Sequence, residues 1–173
     1  LSIELSAKYI VLENVRGLLS AKGNVRGGTS NDVAGSVMES IVSVLEAAHY
    51  SVSYQLVNAM YVGAAQSRDR VILLAVLNDY PLGYVKPTHG LGALPPVRTL
   101  RDAVGQLNAS TNYVEYSPKQ KKWFGMLTEG QNWNNIPKEN QKEAMGEGTY
   151  NGTGGRTGVL RRLSFCDPSP TLV

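Results

Sequence analysis

All eight prolines and both tryptophans of this 173-residue chain lie at or after Pro81. Charge shifts at the same place. Residues 1–85 hold six Lys/Arg against seven Asp/Glu, a net of −1, and residues 86–173 hold eleven against seven, a net of +4. A joint change of composition and charge marks a domain boundary. The sequence therefore divides into residues 1–85 and 86–173, with a linker over about 86–97 that includes Pro87 and Pro96. Confinement of the basic excess to one half points that half toward nucleic acid.

Hydrophobic residues make up 42% of the chain, enough for a packed core. The longest apolar run, Val71 to Leu77, is too short to span a bilayer, and no membrane partner is expected. No charged, apolar and small-residue segments follow one another as a secretion signal would. The single cysteine, Cys166, cannot form an internal disulfide, and no Cys/His cluster suggests a metal site. It reads as a packing cysteine, and a reducing cytoplasm is the simplest home. The chain starts at Leu1 rather than Met and stops just after Pro170-Thr171, so the expectation is a piece of a longer protein.

The first half reads as α/β. Lys8 to Glu13 is a short apolar run ending in a polar residue, as in a buried parallel strand. Arg16 to Ser30 holds four glycines and reads as a loop, after which Asn31 or Asp32 can cap a helix. Val33, Val37, Ile41, Val44, Leu45 and Ala48 follow helical spacing and predict its apolar face. Ser51 to Asn58 and Arg70 to Leu77 read as second and third strands. The first two strands fit a parallel crossover unit. The Ala59–Gln66 connection is too short for another crossover, so the third strand should run antiparallel to the second. The second half is irregular, with short helices expected over Thr99–Leu107, Ser117–Leu127 and Glu139–Met145, and a glycine-rich loop over Asn151–Gly158.

Two groups of residues can carry chemistry. Glu13-Asn14-Val15 ends the first strand, where ligand-binding residues of open α/β sheets sit. A carboxyl partly desolvated there can share a proton near neutrality; the alternative is a solvated or capping glutamate. Gln66-Ser67-Arg68-Asp69-Arg70 leads into the third strand, and alternation places Gln66, Arg68 and Arg70 on one side. An arginine fork suits a carbonyl oxygen or a phosphate. The alternative is a charged strand entry paired to a local acid.

Taken together, these motifs resemble those of the DNA cytosine-5 methyltransferases of bacterial restriction–modification type. A strand ending in Glu-Asn-Val, a glycine-bearing loop, a helix, a strand and then Gly-x-x-Gln-x-Arg-x-Arg recur there in this order. The stretch Tyr54-Gln-Leu-Val-Asn-Ala59 with Tyr61-Val-Gly63 is similar to the segment preceding that last motif. Arg161-Arg-Leu-Ser164 with Asp167-Pro-Ser-Pro-Thr-Leu172 resembles the end of the recognition region. So do Ser117-Pro-Lys-Gln-Lys-Lys122, Trp133 to Pro137 and Gln141-Lys-Glu-Ala-Met-Gly146. The resemblance covers nearly the whole chain and implies the end of a doubly wound catalytic sheet followed by a small irregular target-recognition domain.

It also implies a mechanism. A cysteine thiolate adds to cytosine C6, and C5 then accepts a methyl group from S-adenosylmethionine. Charge builds on the N3 and O2 side of the ring, where a protonated carboxyl and a guanidinium stabilise it. By resemblance Glu13 is the N3 partner and Arg70 the O2 partner. Arg68 and Gln66 hold the site, and Asn14 braces the loop bearing the nucleophile. The base must leave the duplex first. The family's Phe-x-Gly-x-Gly cofactor loop and Pro-Cys nucleophile pair do not occur in this sequence, and Gly63-Ala64-Ala65-Gln66 lacks the proline the family usually has before Gln. The isolated chain is therefore expected to be inactive.

Double-stranded DNA is the expected partner of the second half. Lys119, Lys121, Lys122, Arg161 and Arg162 are candidate phosphate or base contacts, and Arg156, in the glycine-rich loop, is the candidate for base readout; the lysines read equally well as a solvated helix face. Three expectations compete: an enzyme fragment, a subunit of a split methyltransferase completed by a separate N-terminal chain, and a DNA-binding module that has lost catalysis. A cytosine-ring pair argues against the last. A sheet missing several strands should expose an apolar edge, making a crystal dimer unsurprising. Bacterial cytoplasm, near the nucleoid, is the expected location.

Overall fold

The structure is a computed structural model that describes residues 1–23, 33–78, 83–108, 112–152 and 158–171. The chain forms two compact units. The first comprises Leu1–Val62 and Arg68–Leu94, the second Gly63–Ser67 and Pro95–Val173. The end of the first unit at Leu94 lies inside the linker read from composition.

The first unit is built on a three-stranded sheet in the order β1 (Tyr9–Val15), β4 (Asp69–Leu77), β2 (Tyr50–Asn58). β4 is antiparallel to both neighbours, as the short Ala59–Gln66 connection requires for β2. β1 and β2 thus run the same way with β4 between them, and helix α1 (Ser36–Ala47) makes the crossover. Antiparallel register puts Ile10 opposite Ala75 and Tyr50 opposite Leu77, all on one face. Onto that face pack Met38 and Leu45 of α1, joined by Ile41, Val42 and Ala48. Leu73 and Val71 of the central strand are almost fully buried, which contributes roughly 1.5–3 kcal/mol each.

Two expectations are corrected here. The inward face of α1 is Met38, Ile41, Val42 and Leu45, whereas Val33 and Val44 are exposed. The helix begins only at Ser36, behind Gly35 in the left-handed conformation at φ 93°, so the apolar phase must be counted from there. Asn31 and Asp32, expected to cap it, lie outside the described residues. In addition, β1 is not a buried parallel strand. It is an edge strand, antiparallel to its neighbour, in which only Ile10 is buried and Tyr9, Val11, Leu12 and Val15 are exposed.

The Gln66–Arg70 lead-in, expected to alternate as it enters the third strand, is interrupted at Arg68. Gln66–Ser67 forms β3, which belongs to the second unit and pairs in parallel with β5 (Ser169–Pro170); β4 starts afresh at Asp69. The alternation that placed Gln66 beside Arg68 and Arg70 therefore does not apply.

The second unit is held by short capped helices. At α2 (Leu100–Val104) the Thr99 and Asp102 side chains form a reciprocal capping box, and at α3 (Pro118–Phe124) Ser117 and Gln120 do the same, with Pro118 in the first turn. α4 (Lys138–Met145) is followed directly by α5 (Glu147–Asn151), a helix not expected from the sequence. Trp123, Leu127, Trp133, Ile136, Ala144 and Met145 form the core. The buried Gln141 amide donates to the carbonyls of Ile136 at 2.9 Å and Asn134 at 3.3 Å, satisfying backbone acceptors that the core would strand. Cys166 is exposed, which corrects its reading as a packing residue. Among the described residues no helix is long and apolar enough to cross a membrane, and no cluster of three or more His/Cys/Asp/Glu could hold a metal ion.

Candidate active site and nucleic-acid interface

β1 and β4 bring the two candidate ring partners together. Glu13 lies opposite Ile72 and Arg70 opposite Val15, so both side chains project from the same face, one strand apart and offset by two residues. Arg70 Nε donates to Glu13 Oε1 in a direct ion pair. A second donor of the guanidinium, Nη1, reaches the Asp69 carbonyl at 2.8 Å. Arg70 is the more enclosed partner, its side chain 21% exposed against 56% for Glu13. Glu13 is thus more open than its place behind an apolar run suggested, and Arg70 is held in position by its side-chain bond to the Asp69 carbonyl.

Asn14 is on the opposite face of β1 and its Oδ1 accepts the Val15 N–H at 2.8 Å, shaping the strand end locally. Arg68 is anchored by its backbone. Its N–H donates to Asn58 Oδ1 at 3.2 Å, and its carbonyl accepts from Ala59 N–H at 3.0 Å. Gln66 sits in β3, opposite Ser169 in the second unit. Sequence reasoning missed Asn58 and Asp69. Asn58 Nδ2 donates to Asp69 Oδ1 at 2.9 Å, and Asp69 Oδ2 lies 3.6 Å from Arg16 Nη1. The available signal was a polar pair at the facing ends of two apolar strands.

The basic residues of the second unit have varied surroundings. Lys119 is exposed on α3. Lys121 Nζ pairs with Glu115 at 2.8 Å; Lys122 Nζ pairs with Glu143 at 3.1 Å and lies 4.1 Å from the centre of the Trp123 ring. Arg162 Nη1 donates to the Leu127 carbonyl at 2.8 Å, and its backbone bonds to Gly130 and Gln131, so much of Arg162 is structural. Arg161 is half-buried beside a cavity lined also by Tyr116, Phe124 and Leu163. Arg156 lies outside the described residues.

The sheet of the first unit presents a carboxylate–guanidinium pair, and the basic excess of the sequence lies in residues 86–173. The chain belongs to the C-5 cytosine-specific DNA methylase family, whose profile matches residues 3–159. It is 32% identical over 178 residues to the Type II methyltransferase M.Eco47II of Escherichia coli, covering 98% of this chain and 39% of that protein. It is 31% identical over 180 residues to M.PspPI of Psychrobacter sp. (strain TA137), with the same 98% and 39% coverage, and 27% identical over 169 residues to M.Sau96I of Staphylococcus aureus, covering 98% and 36%. The chain thus spans about two-fifths of the length of these relatives.

Proposed function

We propose that this chain supplies the base-gripping end of the catalytic domain and the target-recognition region of a DNA cytosine-5 methyltransferase of restriction–modification type. The observation that carries the proposal is the Glu13–Arg70 pair on one face of adjacent strands in a member of the cytosine methylase family. In this reading a cytosine swung out of the duplex meets the Glu13 carboxyl at N3 and the Arg70 guanidinium at O2. The ion pair seen without substrate exchanges for two bonds to the ring. As the ion pair opens, the Glu13 carboxylate takes up a proton from solvent and donates it in a hydrogen bond to N3, and Arg70, still held by its bond to the Asp69 carbonyl, turns its freed Nε–H to offset charge at O2. Arg68 and Asn58 fix the backbone that leads into Arg70.

S-adenosylmethionine is the methyl donor the family implies. The Phe-x-Gly-x-Gly loop and the Pro-Cys pair that would address it and attack C6 are not in this sequence, so the chain's own residues act on the base and not on the donor. The excess of Lys and Arg in residues 86–173 holds duplex DNA chiefly through phosphates.

The test combines a methyl-transfer assay with duplex binding by the purified chain. The expected result is no transfer from S-adenosylmethionine to duplex DNA, together with binding that weakens steeply as salt is raised. Turnover by the chain alone, or an affinity indifferent to salt, would contradict the proposal.

A further inference from the structure

We infer that the second unit carries a nucleotide pocket built on Arg161, which takes an unstacked guanine deoxynucleotide. Two adjoining cavities of about 550 and 310 Å³ share Tyr116, Phe124, Arg161 and Leu163 as walls. Volumes of this order suit a small ligand. Phe165, Lys121 and Arg162 are among the further walls of the larger cavity.

The lining is aromatic and cationic. The Tyr116 and Phe124 rings pack 4.7 Å apart at 37°, and Tyr116 remains 56% exposed. Arg101 lies 5.3 Å from the centre of the Phe165 ring, and Phe165 is itself partly exposed. Ring surface is thus held in place beside the cavity and left uncovered. Nucleic-acid bases stack on such platforms whatever their sequence context.

Arg161 supplies the selectivity. Its neighbours are occupied: Lys121 by Glu115, and Arg162 by the Leu127 carbonyl. Arg161 is half-buried, and its guanidinium has no hydrogen bond or ion pair among the described residues. A partly desolvated fork of donors is costly unless a ligand accepts from it. The charged lining residues, Lys121, Arg161 and Arg162, are all donors, so the matching ligand is rich in acceptors. Guanine offers O6 and N7 side by side to an arginine, and its nucleotide adds a phosphate; cytosine and adenine each place an amino group on that edge. A paired, stacked base cannot enter a cleft, so the ligand is a nucleotide freed from the duplex. It is distinct from the cytosine assigned to Glu13 and Arg70. The inference rests on the reading of the second unit as DNA-facing.

The test is a titration of the isotope-labelled 173-residue chain with dGMP, dCMP and inorganic phosphate, followed by NMR, alongside duplex binding by anisotropy. The expected result is that dGMP shifts the Arg161 side-chain N–H and the Tyr116 and Phe165 ring resonances. dCMP should bind at least about tenfold more weakly, and phosphate alone should leave the rings unmoved. Arg161→Met and Phe165→Leu, each folded by the criterion of an otherwise unchanged spectrum, should weaken dGMP binding by about tenfold or more. If Arg161→Met does not fold, Arg161→Lys decides, because it keeps the charge and loses the fork; unchanged dGMP affinity in that variant would overturn the pocket. Ring shifts reproduced by phosphate, equal affinity for dCMP, or no response to dGMP while duplex still binds would overturn the pocket and leave the DNA-facing reading standing. Loss of response to both mononucleotide and duplex would overturn both.

Discussion

Asn58 at the end of β2 donates through Nδ2 to Asp69 Oδ1 at the start of β4, at 2.9 Å, while its Oδ1 accepts the N–H groups of Met60 and Arg68 at 3.1 and 3.2 Å. One side chain therefore ties both strands and the intervening turn just ahead of Arg70. Asn58→Ala should destabilise the first unit by about 1–3 kcal/mol, because part-buried donors and an acceptor lose their partner. Asn58→Asp should cost at least as much, by placing a second carboxylate against Asp69. Denaturant unfolding checks this, and a loss below about 0.5 kcal/mol for both variants would show the clamp to be dispensable.

The ion pair between Glu13 and Arg70 is half-open to solvent on the glutamate side. A pair of that exposure contributes no more than about 1 kcal/mol to stability. Glu13→Gln should therefore leave the unfolding midpoint nearly unchanged. On the proposed role, it should lower the single-turnover methylation rate of a full-length methyltransferase carrying this chain by about 100-fold or more, with duplex affinity affected far less. Arg70→Ala should slow the same step and also cost some stability, since its bond to the Asp69 carbonyl goes too. Wild-type rates in both variants would remove the two residues from the reaction.

The backbone N–H and the hydroxyl of Thr99 hold the Asp102 carboxyl below the usual carboxylate range. A group whose folded value is depressed stabilises the fold above its unfolded value and loses that contribution as pH falls through the folded one. The α2 cap should therefore be intact at neutral pH and weaken only below about pH 4. Asp102→Asn should flatten this part of the acid limb relative to wild type, and Thr99→Ala should cost about 1 kcal/mol at neutral pH. Unfolding curves collected from about pH 7 to about pH 2 read both effects; identical acid limbs for wild type and Asp102→Asn would disprove the coupling.

His49 joins α1 to β2 in the left-handed region, φ 65°, and its carbonyl accepts the Asn78 N–H at 2.9 Å. A side chain bearing Cβ pays about 1–2 kcal/mol for that conformation, part of which glycine returns as greater freedom of the unfolded chain. His49→Gly should leave stability equal or raise it by up to about 1 kcal/mol, and His49→Val should lower it. Thermal unfolding of the two variants distinguishes them, with the reverse order contradicting the assignment.

The elements most legible in the sequence were those signalled by local chemistry. Thr99 and Ser117, each followed three residues later by a side chain that returns the bond, mark α2 and α3, and Pro118 fixes the start of α3. The shared face of Glu13 and Arg70 follows from one antiparallel register, and the short connection after β2 forces the strand direction. What was hidden depends on contacts distant in sequence. The phase of α1 turns on Gly35 rather than on the apolar spacing before it. The edge position of β1 depends on β4 arriving beside it from more than fifty residues away. Gln66 could not be separated from Arg68 without knowing that Ser169 pairs with it.

The excursion of Gly63–Ser67 into the second unit has a consequence for anyone dividing this protein. Neither unit is a continuous stretch of polypeptide. A single cut after Leu94 would separate β5 from the only strand it pairs with among the described residues and leave Ser169 N–H, now bonded to the Ala65 carbonyl, without its acceptor. Exchanging the second unit for its counterpart from another protein therefore takes three junctions, after Val62, after Ser67 and after Leu94, with the five-residue segment travelling together with the long one.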